Sequence, residues 1–198
     1  MNNLKELFEI QAGLDAEILN NHPVQEGEDR LEKKHAALLV ELGEMFNEWR
    51  AFKFWSHDQT PRTKMYRQCE KCKGKVMTMT PGVVCDNCKA GYIEEDLVLK
   101  ELVDCLHFVL SIGLELEERF LDILREVEYK PVFKEHLSME HHFISLMMRD
   151  WSDTPDNYIS GVRQFLGLCI MLGYTWEQIM AAYLEKNQEN HYRQMNGY

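Results

Sequence analysis

Leu4, Leu7, Phe8, Leu14 and Ile18 recur at the three-to-four-residue interval of a helix, and Asn20-Asn21-His22-Pro23 ends that run. After a polar loop from Val24 to Arg30, a second helix is predicted from about Leu31 to Phe52, with Leu31, Leu38, Leu42, Met45 and Trp49 on one stripe. Pro61 and four cysteines then interrupt the pattern. It resumes at about Glu94 and continues to Ile112 or beyond, with Gly113 a candidate kink. Past Lys130-Pro131, one helix is expected to start near Ser138. Another opens at Thr154-Pro155, an N-cap followed by proline at the first helical position, and closes at Gly173. Thr175 with Gln178 reads as the capping box of a last helix. Strand alternation is absent outside the cysteine segment, so the fold expected is an all-α helical bundle with a small insertion.

Composition adds little to this picture and charge adds more. The chain has 198 residues, 45% hydrophobic and 28% charged, as an ordinary globular domain has, which excludes a disordered tail or a disulfide miniprotein. Its longest apolar runs fall short of the roughly 20 residues of a membrane span. The first ten residues carry acids where a secretory leader needs a basic region, so a cytoplasmic protein is expected. The net charge of −11 disfavours generic nucleic-acid binding. From Pro61 to Tyr92, however, seven basic residues (Arg62, Lys64, Arg67, Lys71, Lys73, Lys75, Lys89) meet two acidic ones (Glu70, Asp86), a net of +5. Two sub-structures with different jobs are expected.

Cys69-x-x-Cys72 and Cys85-x-x-Cys88 stand twelve residues apart, the spacing of two zinc knuckles that together make a tetrahedral thiolate site. Gly74, Pro81, Gly82 and Gly91 supply turns. Val76, Met77, Thr78, Val83 and Val84 supply short strands, which predicts a zinc ribbon. Four thiolates leave no open position, so the zinc would be structural. Two disulfides suit a reducing compartment poorly, and a redox dithiol needs only one pair. Cys105 and Cys169 lie in apolar runs and read as small buried hydrophobes.

The second helix carries Glu41, Glu44 and Glu48 on one flank, which alone is the pattern of a solvated face. The next helix is more informative. From Leu97 to Leu114 its acids are Glu101 and Asp104, on one face, with His107 a turn later. Carboxylates in so apolar a helix need a compensating cation, and Lys100 is the one basic residue nearby in sequence. Two facing helices with two or three carboxylates each suit a hard ion such as Mg²⁺, and the chemistry implied is hydrolysis of a phosphate ester or phosphoanhydride. In the last helix Lys186, Asn187, Asn190 and Arg193 recur at helical spacing as one donor-rich face, suited to a polyphosphate.

Gln11-x-x-Leu14-Asp15, Glu41-x-x-Glu44, Phe52-Lys53-Phe54-Trp55, Glu101-x-x-Asp104 with Leu106-His107-Phe108, and Tyr183-x-x-Lys186-Asn187-x-x-Asn190-x-x-Arg193-Gln194-x-x-Gly197-Tyr198 together resemble the dimeric dUTPases, within the all-α nucleoside triphosphate pyrophosphatases. The five motifs occur in order over nearly the whole chain, and the last is the most specific. The chain departs from that pattern between Trp55 and Glu94. Fifty-six residues separate Glu44 from Glu101, and removing residues 62–92 leaves twenty-five, enough to join two antiparallel helices. Residues 1–61 and 93–198 are therefore expected to form the catalytic bundle, with 62–92 a zinc-ribbon-like insertion between two metal-binding helices.

The resemblance implies that Glu41, Glu44, Glu101 and Asp104 hold two or more Mg²⁺ ions. A metal-bound water would attack the α-phosphorus of dUTP, giving dUMP and pyrophosphate, with Glu44 as general base. It implies that Lys186, Asn187, Asn190 and Arg193 grip the phosphates, that Gln11 reads the uracil amide edge, and that Asp15, Lys53 and Tyr183 belong to the substrate site. Trp55 and Phe108 are candidates for the apolar wall or for plain core. His107 would contact the sugar or hold a carboxylate. A homodimer is implied as well. The alternatives are a pyrophosphatase for another nucleotide such as dCTP, and a module that binds a protein or nucleic-acid partner through the basic ribbon.

Overall fold

The helix ends follow the capping residues in the sequence. A computed structural model describes residues 4–73, 85, 88–120, 127–151 and 154–197. Among these are six helices: α1 (Leu4–Asn21), α2 (Arg30–Trp49), α3 (Leu97–Phe120), α4 (Met139–Met147), α5 (Pro155–Met171) and α6 (Trp176–Met195). Asp29, Ser138, Thr154 and Thr175 accept from backbone N–H groups of the first turns of α2, α4, α5 and α6, satisfying donors that a helix start leaves unpaired. Thr175 and Gln178 complete the expected capping box. Gly173, at φ +89°, closes the α5 end in a conformation open to glycine.

Two boundaries differ from expectation. α2 stops at Trp49 rather than Phe52, because Arg50 turns left-handed at φ 61° and returns its N–H to Phe46 O. Phe52 then folds back to stack on Phe46 with ring centroids 4.2 Å apart. The helix expected from Glu94 begins at Leu97. Tyr92–Glu95 is instead a strand, β2, paired antiparallel with β1 (Met65–Gln68) in the register Met65↔Glu95 to Gln68↔Tyr92. Asp96 ends the strand and caps α3 by accepting from Leu99 N–H at 2.9 Å, while Tyr174 Oη donates to both its oxygens.

Antiparallel α2 and α3 form the centre of the bundle. Arg62 joins the end of one to the start of the other: its N–H donates to Glu48 O, and its carbonyl accepts from Leu97 N–H. Leu38, Leu42 and Met45 of α2 pack with Val98, Leu102, Leu106 and Val109 of α3, all fully buried, and α1, α5 and α6 close over them. α3 runs through Gly113 as continuous helix. The glycine serves close packing instead, since a Cβ there would lie 2.7 Å from Tyr158 Cζ and 2.8 Å from Phe8 Cε1. Cys105 and Cys169 are buried apolar residues, as expected. No single helix among the described residues is long and apolar enough to cross a membrane.

The β1–β2 hairpin stands off the bundle, with all four β1 residues exposed. It leads directly into the cysteines. Cys69 N–H donates to Gly91 O, and left-handed Lys73 and Ala90 make the knuckle turns. The strands and turns expected at Gly74, Val76, Met77, Thr78, Pro81, Gly82, Val83 and Val84 lie outside the described residues.

Candidate active site

Facing turns of α2 and α3 bring carboxylate oxygens of Glu41, Glu101 and Asp104 within 4.8 Å of one another. Glu44, one turn after Glu41, lies outside that set and is exposed to solvent. Glu48 is directed elsewhere, held by the Arg62 guanidinium at 3.1 Å. The cluster is electrostatically strained. Burial, then the charges of Asp104, Glu44 and Glu101, push the Glu41 carboxyl up to about 7. Burial and neighbouring acids also raise Glu101, and burial raises Asp104. The cation that meets them comes from α6: Lys186 Nζ donates to Asp104 Oδ2 at 2.7 Å. Lys100 is the one base near in sequence, and tertiary packing adds Lys186.

Beside the carboxylates lies a cavity of about 850 Å³. Its lining includes the polar Glu41, Asp104, Lys186, Asn190 and Arg193. It also includes Gln11, Asp15, His107 and the apolar Leu14, Ile18, Leu19 and Phe108. Asn187 is buried, with its Nδ2 lacking a hydrogen-bond partner among the described residues. Lys53 and Trp55 are not among the cavity-lining residues. Lys53 donates to Asn47 Oδ1, and Trp55 is 65% exposed, packed edge-on against Phe52 and Phe54.

The protein itself engages much of the Gln11 amide. Its Oε1 accepts from Tyr183 Oη and from His107 Nδ1, both at 2.8 Å, while its Nε2 donates to Asp15 Oδ1 at 2.7 Å. Both carbonyl lone pairs are used, so Gln11 can offer a ligand only its remaining N–H. Asp15 is likewise engaged with the protein, accepting from Ser111 Oγ at 2.5 Å and Lys34 Nζ at 3.4 Å. Lys34 also donates to Glu115 at 2.7 Å. Tyr183 is fully buried and stacks on His107 with centroids 4.2 Å apart. It supports the cavity wall from behind. His107 holds Gln11 rather than a carboxylate, and burial together with the Lys186 charge pushes its pKa down to about 3.

Lys34, Ser111 and Glu115 were missed in the sequence. The one available signal was Ser111 and Glu115 continuing the Asp104–His107 face of α3 at helical spacing.

A second cluster lies at the hairpin tip. The sulfurs of Cys69, Cys72, Cys85 and Cys88 all fall within 4.8 Å of one another, with Cys69–Cys85 at 4.0 Å and Cys72–Cys88 at 3.5 Å. All six cysteines of the chain are free thiols. A tetrahedral zinc site with arms of about 2.3 Å has edges of roughly 3.8 Å, so these thiols fit the ion as placed. The expected basic surface is partly neutralised. Arg62 pairs with Glu48, Lys64 with Glu94, and Arg67 with Glu95 and Glu70.

A family model described as dUTPase matches residues 3–69 and 89–198. The chain belongs to the dUTPase family. The match takes in both helices of the carboxylate cluster and every cavity-lining residue, and it omits residues 70–88, which hold Cys72, Cys85 and Cys88. No curated protein sequence matches the chain. Membership in the dUTPase family supports a dUTP diphosphatase-type function, that of a nucleotide pyrophosphatase.

Proposed function

We propose that the protein is a Mg²⁺-dependent dUTP diphosphatase that cleaves dUTP to dUMP and pyrophosphate. The observation that carries this reading is the convergence of Glu41, Glu101 and Asp104 beside a cavity whose adjoining wall bears Lys186, Asn190 and Arg193. Three half-buried carboxylates, each with its pKa raised first by burial and two of them also by neighbouring acids, with one lysine reaching Asp104, make a site that a hard cation would stabilise. With Glu44 as a fourth donor, the set suits two Mg²⁺ ions. Bound there, Mg²⁺ would supply Lewis-acid neutralisation of the phosphates.

The chain's own groups account for the rest. Lys186, Asn190 and Arg193 orient the triphosphate and stabilise charge on the departing pyrophosphate. Exposed Glu44 takes a proton from the water that attacks the α-phosphorus as the bond to the bridging oxygen breaks. Phe108, Leu14 and Ile18 give the nucleoside an apolar wall. His107, its pKa pushed down to about 3 by burial and the Lys186 charge, is a poor base for that proton. Incubation of the full-length protein with Mg²⁺ and a panel of deoxynucleoside triphosphates tests the reading through released pyrophosphate. dUTP is expected to lead the panel. A preference for dCTP would replace the substrate but keep the class, and no release from any nucleotide would reject it.

Residues 62–92 read best as an insertion that carries one structural zinc, and residues 1–61 with 93–198 as the catalytic bundle. Neutralisation of Arg62, Lys64 and Arg67 weighs against a nucleic-acid-docking ribbon as the main function. We further propose that the protein is a cytoplasmic homodimer. Val40, Phe54, Trp55, Ile144 and Met148 are each at least half exposed, a large apolar endowment for a lone bundle. Light scattering at micromolar concentration is expected to give twice the 23.4 kDa chain mass. A stable single-chain mass would overturn this.

A further inference from the structure

The hydrogen bonds in the cavity wall fix which nitrogen of His107 carries a proton. Asp15 receives Ser111 Oγ, Lys34 Nζ and Gln11 Nε2, so the Gln11 amide is turned with its N–H toward the acid. Its carbonyl must then face Tyr183 Oη and His107 Nδ1, and a carbonyl can only accept. Nδ1 is therefore the protonated nitrogen. Nε2 of the neutral ring keeps its lone pair, is buried, and has no hydrogen-bond partner among the described residues. His107 is 6% exposed and lines the cavity. A buried acceptor left without a donor is costly, and a ligand that supplies one recovers that cost on binding.

We propose that Asp15, clamped by Ser111 and Lys34, sets the tautomer of His107 through Gln11, so that His107 Nε2 is presented to the nucleoside as a hydrogen-bond acceptor. Asp15 is then a positioning residue that acts on the ligand through Gln11 and His107. The inference rests on the nucleotide-hydrolase reading of the cavity and deepens it. An unprotonated nitrogen gives nothing to a phosphate oxygen, so its ligand is a neutral donor of the nucleoside. Two groups have that chemistry, the N3–H of a uracil ring and a sugar hydroxyl. Cytosine has a lone pair at N3 and would set acceptor against acceptor. The remaining Gln11 N–H adds a donor beside the acceptor, which is the pairing an imide edge needs.

The test combines calorimetry with NMR of the full-length protein. dUMP, dCMP and 2′,3′-dideoxyuridine monophosphate are the ligands. The wild type is expected to bind dUMP about tenfold more tightly than whichever analogue lacks the donor. His107→Asn keeps a donor near the Nδ1 position and removes the Nε2 acceptor. Loss of the dCMP gap in that variant assigns the base N–H, and loss of the dideoxy gap assigns the sugar hydroxyl. Long-range proton–nitrogen spectra should show the Nδ1–H tautomer in the wild type and a shift toward Nε2–H in Asp15→Asn, where an amide can turn Gln11 around. An Nε2–H tautomer in the wild type, or both gaps persisting in His107→Asn, overturns the proposal. If dUMP binding shows the gap and its loss but no dUTP is cleaved, the hydrolase reading fails while the acceptor stands. If dUTP is cleaved and both gaps survive in the variant, the acceptor role alone fails.

Discussion

Glu101→Gln is expected to lower kcat for dUTP by at least about a hundredfold while leaving the helical fold unchanged. Glu101 shares the 4.8 Å cluster with Glu41 and Asp104, and its replacement keeps the shape while removing one oxygen charge from the set. The same variant should be as stable as the wild type without metal, or more so. Burial and the charges of Asp104 and Glu44 disfavour the Glu101 carboxylate more than Lys100 and Lys186 favour it, so neutralising it relieves strain that a bound cation would also relieve. Asp104→Asn differs in a useful way, because it also strips Lys186 of its 2.7 Å partner. It should lose activity as severely without the gain in stability. Steady-state pyrophosphate release and thermal melts in chelator resolve the two effects. Near-normal turnover in both variants would remove the metal assignment, and a marked loss of metal-free stability in Glu101→Gln would remove the repulsion behind it.

That opposition between stability and charge explains why part of the site was legible in the sequence. Two acids in an otherwise apolar helix are an anomaly that periodicity exposes, and Glu101 and Asp104 stand out for that reason. The bundle is legible on the same grounds: Leu38, Leu42 and Met45 keep helical spacing, and Asp29, Ser138, Thr154 and Thr175 mark starts by local hydrogen bonding. Glu41 and Glu44 are less clear, because a row of acids is also what a solvated face looks like, and Glu48 proves to belong to Arg62.

What the sequence could not show are partnerships made across the fold. Lys186 lies 82 residues from Asp104, and Gln11 lies 96 from His107 and 172 from Tyr183. Gln11 suggested a base reader because a free amide has the right donor and acceptor. Its carbonyl is consumed by two side chains from distant helices, which no local pattern encodes. The helix end at Trp49 was missed for a related reason: Phe52 stacks back on Phe46, and Arg50 takes up the turn. β1 and β2 escaped notice because four-residue strands that bury little leave no alternation to read.

Those strands also bear on what a zinc ion would do here. The purified protein is expected to carry one zinc per chain, and Cys72→Ser to lose it together with the structure of the hairpin tip. Four sulfurs already lie within 4.8 Å of one another, close to the edges of a tetrahedral site that zinc would fill. β1 buries none of its four residues, and left-handed Lys73 and Ala90 add backbone cost, so a zinc ion held by the four thiolates would supply folding free energy that the described strand residues lack. The bundle should barely respond. Its tie to the hairpin runs through Arg62, which is hydrogen-bonded to Glu48 and Leu97 on the helix side of the strands. Helical circular dichroism and dUTP turnover should therefore stay close to wild type in Cys72→Ser, while amide exchange rises sharply from Met65 to Glu95. Metal analysis with thiol titration reads the first half of this expectation and hydrogen exchange the second. Zinc well below one per chain with four reactive thiols would dismiss the site, and collapse of the α2–α3 pair in Cys72→Ser would show that the insertion is part of the catalytic fold rather than an addition to it.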